Sequence, residues 1–128
     1  MTPLKFVTFI LGNAQLIITV ELATIGATIA SRGINPITQE QVLKSYNCPR
    51  ILAEMTMEGM YDSSGEWAYT VGLPSKSGVG GGILTIILGI MAIATFSPPL
   101  DQIGNRVRGQ KMITSVAKEL GYNLYQYK

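Results

Sequence analysis

Apolar positions along the chain follow two different periods, and the change between them divides it into a helical first half and a strand-rich second half. From Glu21 onward Leu22, Ile25 and Ile29 recur at spacings of three and four, and the small residues Ala23, Gly26, Ala27 and Ala30 allow close packing. This pattern predicts a helix with Thr19 as its N-cap and Gly33 as its C-terminal stop. Asn35 to Thr38 reads "NPIT", a turn. A short helical piece is expected over Gln39 to Tyr46. Pro49 then opens another at a first-turn position, with Ile51, Leu52 and Met55 on one side. "YDSSGEW", Tyr61 to Trp67, reads as a turn-rich loop, and Trp67 to Val71 alternates as a strand would.

Gly78 to Phe96 carries no charge. Its length alone would suit a membrane helix. Four of its first five residues are glycine and the rest is rich in β-branched side chains, which suits strands better. Gly89 splits the run, so Ile83–Leu88 and Ile90–Phe96 are expected to pair as an antiparallel hairpin, with Lys76 to Gly78 on a strand beside it. "SPPLD" ends the second strand, because proline donates no ladder hydrogen bond. Asn105 then caps a helix from Val107 to Leu120, with Met112, Ile113, Val116, Ala117 and Leu120 on one face and Gly121 as its stop. The predicted order is helices, about three antiparallel strands and a closing helix, without internal repeats.

Composition narrows the chemistry. The 128 residues suffice for one core, and 47% hydrophobic content is that of a chain that folds. A net charge of +2, from scattered Lys and Arg, gives no footprint for nucleic acid. Cys48 is the one cysteine, so neither an intrachain disulfide nor a cysteine zinc site is expected, in keeping with a cytoplasmic protein. The chain contains no histidine. Imidazole relays and H-E-x-x-H zinc sites are therefore excluded, and any transferred proton must sit on Lys, Tyr, Asp or Glu. The opening run Met1 to Val20 is apolar, but Asn13 and Gln15 interrupt it and no A-x-A cleavage pattern follows, so neither a signal nor an anchor is expected.

The chemically suggestive stretch is "LPSKSGVGGGI", Leu73 to Ile83. A P-loop requires glycine immediately before the lysine, whereas Ser75 precedes Lys76. A dinucleotide fingerprint would lead into a helix, and these glycines lead into a β-type run. The remaining chemical reading is Lys76-Ser77-Gly78 on a strand beside a nucleophile. The lysine would attract a carboxylate, and a backbone N–H just beyond it would stabilise an oxyanion, a contact worth roughly 3 kcal/mol. K-[ST]-G is the box of serine β-lactamases. Taken alone it is three common residues, and a solvated turn explains it better.

Its neighbours add to it. "ATIASRGINPIT" (Ala27 to Thr38), "GMYDSSGEWAYTVGLPSKSGVGGGI" (Gly59 to Ile83) and "SPPLDQIGNRVRGQK" (Ser97 to Lys111) together resemble the serine-dependent glutaminases. The resemblance spans about Thr19 to Gly121. It implies an α/β fold of β-lactamase-like type, an antiparallel sheet flanked by helices, represented here by its C-terminal strands and helices. It implies conversion of L-glutamine to L-glutamate and ammonia through a serine acyl-enzyme, no cofactor or metal, and a homotetramer. The family's substrate-binding tyrosine falls on Tyr61, and the position whose backbone N–H helps form the oxyanion hole falls on Val79. Tyr61 is also the better proton relay, since a phenol both donates and accepts. Lys76 is its electrostatic partner.

The departures matter equally. The family nucleophile, a serine in S-x-x-K well before the K-S-G, has no counterpart ahead of Lys76, and the asparagine and glutamate positions that hold the substrate's amino and carboxyl groups are missing. The one S-x-x-K, Ser115 to Lys118, lies on the closing helix in the wrong order and reads as ordinary helix surface and core. Residues 1–18 read as a divergent apolar segment and 19–128 as the C-terminal part of a glutaminase domain. Glu58 stands where cysteine is common. The expectation is a chain inactive alone that buries its apolar strands poorly. The alternatives are a non-catalytic remnant or split-enzyme partner and, third, a small membrane protein.

Overall fold

The computed structural model describes residues 5–10, 16–78, 80–97 and 107–126. The elements are β1 (Lys5–Ile10), α1 (Leu16–Ala30), α2 (Cys48–Glu58), α3 (Ser64–Thr70), β2 (Ser75–Ser77), β3 (Gly82–Ile87), β4 (Met91–Phe96) and α4 (Val107–Leu120). One mixed sheet runs in the order β1-β4-β3-β2. The hairpin forms as the sequence predicts: β3 and β4 pair antiparallel from Gly82↔Phe96 to Ile87↔Met91. Gly89 makes its turn with φ +78°, a backbone state that costs glycine little. β2 pairs antiparallel with β3, Lys76 opposite Leu84. The strand ends at Ser77, so Gly78, expected on it, lies one residue past its end.

Two apolar layers cover the sheet. Leu84, Ile86, Ala92 and Ala94 face α1 and α2, while Ile83, Ile87, Met91 and Ile93 join Trp67, Ile113 and Ala117 on the other side. The period of two thus survives inside a run with no polar alternation, because both faces are buried. Ile83, Ile86 and Ile93 are wholly inaccessible. The expectation of poorly buried strands is therefore wrong for β3 and β4, since helices lie on both sides of them. Among the described residues no helix is long and apolar enough to cross a membrane, and Gly78 to Phe96 forms no such helix.

Several expectations need correction. β1, within the opening apolar run, adds a fourth strand, parallel to β4 and in register Lys5↔Met91 to Ile10↔Phe96. It takes the backbone groups that β4 would otherwise present as an open edge. Thr19 is not a cap but a buried residue inside α1. The buried stripe of α1 is its small residues: Ala23, Ala27 and Ala30 are fully buried, whereas Ile25 is 56% exposed. The helix ends at Ala30, three residues before Gly33. Arg32, at φ +58°, donates its N–H to Ile29 O at 3.0 Å, and Gly33 N–H reaches Thr28 O at 2.8 Å, the paired bonds of a Schellman ending.

Asn35 to Thr38 is a turn, closed by Asn35 Oδ1, which accepts the Ile37 N–H at 2.8 Å. Gln39 to Lys44 is not helical, and the end of the expected piece enters only a short 3-10 turn, Ser45–Asn47. Gln39 sits at φ +63°, Ile34 bridges Gln41, and Gly33 O takes the Val42 N–H at 2.8 Å. These long-range bonds satisfy the backbone groups a helix would have paired locally. α2 forms as expected, with Pro49 in its first turn and Leu52 and Met55 buried. The predicted loop and strand over Tyr61 to Val71 are instead a 3-10 turn (Tyr61–Ser63) and α3. Trp67 and Val71, four residues apart, are both buried, a helical spacing that short alternation also mimics. α4 has the predicted bounds and buries Ile113 and Ala117, while Leu120 is 40% exposed. Asn105 lies outside the described residues.

Candidate functional site

Lys76 is the middle residue of β2, and its neighbours Ser75 and Ser77 point the other way and are buried. The strand is anchored from that buried side. Trp67 Nε1–H donates to Ser75 Oγ at 2.8 Å, Ser75 Oγ donates to Leu73 O at 3.0 Å, and Thr85 Oγ1 lies 2.7 Å from Ser75 Oγ. With its own proton directed at Leu73, Ser75 is the acceptor for Thr85. One hydroxyl therefore ties α3, β2 and β3 together immediately beneath Lys76.

The other side of β2 is held by the segment that follows α2. Gly59 O accepts the Ser77 N–H at 2.9 Å and the Lys76 ammonium at 3.5 Å. Lys76 Nζ also donates to Ser77 O. Gly59 is required by this close approach, since a Cβ there would run into the Ser75 and Met55 carbonyl oxygens. Met60 is buried, and the chain then turns at Tyr61 with φ +54°. Tyr61 is 41% exposed, and its ring lies under the Lys76 ammonium, which is 4.5 Å from the ring centroid. That distance is within cation–π range.

Tyr61 and Lys76 share one open hollow of about 580 Å³, with Arg50, Glu54 and Glu58 of α2 along its wall. A second hollow, about 430 Å³, is also lined by Lys76 and runs past Ser77, Gly78 and Gly80–Gly82 to Glu21 and Ile25 of α1. Lys76 therefore borders two open spaces, one lined also by Tyr61 and the other by the glycine turn. In that turn Gly78 N–H bonds Gly82 O at 3.0 Å and Gly81 N–H bonds Gly78 O at 3.0 Å. Val79, the expected oxyanion position, lies outside the described residues.

Of the residues singled out from sequence, the structure brings Tyr61 and Lys76 together. Ser115 and Lys118 are exposed on α4 and line neither hollow. Among the described residues no group of three His, Cys, Asp or Glu side chains could hold a metal ion. The sequence reading did not place Arg50, Glu54 and Glu58 beside Tyr61 and Lys76, although their four-residue spacing along α2 was a usable signal.

Comparison with known proteins agrees with this picture. The glutaminase family model matches residues 10–125. The glutaminase of Desulfovibrio desulfuricans is 77% identical over 113 residues, covering 88% of this chain and 36% of that protein. The solved structure of a probable glutaminase superposes with TM-score 0.81 at 64% identity, over 84% of this chain and 35% of that one. The Bacillus subtilis glutaminase, solved as a covalent complex with 5-oxo-L-norleucine formed from 6-diazo-5-oxo-L-norleucine, gives TM-score 0.76 at 32% identity, over 83% and 39%. The chain thus spans about a third of the length of these relatives, and it shares with them the C-terminal strands and helices of the β-lactamase-like fold. By the extent of the family match and this identity, the chain belongs to the glutaminase family.

Proposed function

We propose that this chain supplies one wall of a glutaminase active site, for hydrolysis of L-glutamine to L-glutamate and ammonia. The observation that carries the proposal is the stacking of the Lys76 ammonium on the Tyr61 ring at the mouth of a shared hollow, beside the glycine turn. In the reaction a serine hydroxyl attacks the side-chain amide carbon, the C–N bond breaks and ammonia leaves with a proton. Water then cleaves the serine ester to release glutamate. The covalent adduct of the Bacillus subtilis relative supports such a route.

Tyr61 contacts substrate and relays the proton, Lys76 holds negative charge against the β2 edge, and the Val79 N–H donates to the oxyanion. The nucleophile comes from a segment carrying S-x-x-K, because the chain's own Ser115 and Lys118 line neither hollow. On this reading residues 19–128 are the C-terminal part of the domain, and the working protein is cytoplasmic and homo-oligomeric, a tetramer in the family.

Ammonia release from L-glutamine tests it, with the chain alone and mixed with an N-terminal glutaminase fragment carrying S-x-x-K. Turnover is expected only in the mixture and should fall with Tyr61→Phe. Turnover by the chain alone that Ser115→Ala abolishes would sink the proposal.

A further inference from the structure

Tyr61 is a large side chain held in the left-handed region, where only glycine is at ease. Such a state persists when its surroundings over-determine it. The structure supplies the constraint two bonds at a time. The Ser64 hydroxyl, buried at the start of α3, accepts the Met60 N–H at 3.0 Å and donates to Tyr61 O at 2.7 Å. The Ser64 N–H also donates to Tyr61 O. One side chain therefore grips the peptide groups on both sides of the Tyr61 turn, and Met60, buried at 1% exposure, pins the segment to the core.

We propose that Ser64 is a positioning residue: its hydroxyl holds Tyr61 left-handed and so keeps the phenol ring beneath the Lys76 ammonium. Its catalytic consequence rests on the proposed reading of Tyr61 and Lys76 as site residues; the geometric claim does not. Ser64 touches neither substrate nor Lys76. It acts through Tyr61, by way of the bonds that its hydroxyl makes to Met60 N–H and Tyr61 O.

The test reads that geometry directly in the 128-residue chain. An aromatic ring face shifts protons above it upfield, so the Lys76 ε-methylene signal, assigned by its loss in Lys76→Arg, should stand upfield of the other lysines. It should return to their position in Tyr61→Leu. Ser64→Ala should also abolish the shift, while Ser64→Thr, which keeps the hydroxyl, and Ile113→Val, a small change in the distant α4 core, should retain it. If the alanine variant does not fold, Ser64→Cys carries the same test with a near-isosteric, much weaker hydrogen-bonding group.

A full shift in Ser64→Ala or Ser64→Cys overturns the proposal, and so does its loss in Ile113→Val. In the mixture that turns over glutamine, kcat/KM should fall roughly 10- to 100-fold in Ser64→Ala, as small misplacements of catalytic groups do, and recover in Ser64→Thr. Unchanged turnover alongside a lost proton shift would retain the clamp and remove Tyr61 from the reaction. Absence of turnover in any mixture leaves the shift to decide the clamp.

Discussion

Replacing Ser75 by alanine removes a hydroxyl that three elements share. The side chain is 1% exposed and serves as acceptor for Trp67 Nε1–H and for Thr85 Oγ1. The Thr85 hydroxyl can rotate toward another acceptor, but the indole N–H points along a fixed line and is left unpaired. An orphaned buried donor costs about 1–3 kcal/mol, and the bond to Leu73 O that also disappears contributes ~1 kcal/mol more. The expected loss is therefore about 2–4 kcal/mol, a large share of the roughly 5–15 kcal/mol that stabilises a domain.

Urea unfolding followed by fluorescence of the single Trp67 reads it. With a slope of about 1–3 kcal/mol per molar urea, the midpoint should fall by on the order of 1–2 M. The decisive comparison is a double-mutant cycle followed by circular dichroism. In a Trp67→Phe background the orphaned donor no longer exists, so Ser75→Ala should cost about 1 kcal/mol less than in the parent. Equal costs in the two backgrounds would refute the claim that one hydroxyl ties α3 to β2.

Ile93→Ala empties a fully buried site on β4 between Trp67 and α4, and should cost about 2–5 kcal/mol, seen as an earlier thermal midpoint. Cys48 titrates upward: burial pushes its thiol above the ordinary value of 9.0, and nearby Arg32 only partly offsets this. A raised folded-state pKa means its contribution to stability is intact below pH 9.0 and is lost as pH climbs through the folded value. Stability measured between pH 8 and 11 should therefore fall less steeply in Cys48→Ala than in the parent, and parallel curves would contradict the burial argument.

Much of this molecule was legible because local chemistry and final structure agree. The β3–β4 hairpin follows from an apolar, β-branched run broken by Gly89, and α2 and α4 from apolar spacing with Pro49 and Gly121 at their ends. Tyr61 and Lys76 stood out through motif order, which needs no coordinates. Short segments failed where distant partners outweighed local preference. Residues 39–44 give up a helix, with Val42 and Leu43 bonded to Gly33 instead, and α3 hides its period because seven residues hold too few apolar positions to separate helix from strand. The sequence alone determined which residue types the chemistry can use. Only the tertiary structure decided that Gly59 approaches β2, that Ser64 grips the Tyr61 turn, and that the ammonium of residue 76 meets the ring of residue 61. Those contacts join elements whose spacing in the chain carries no directional information, and only packing them against one sheet sets their distances.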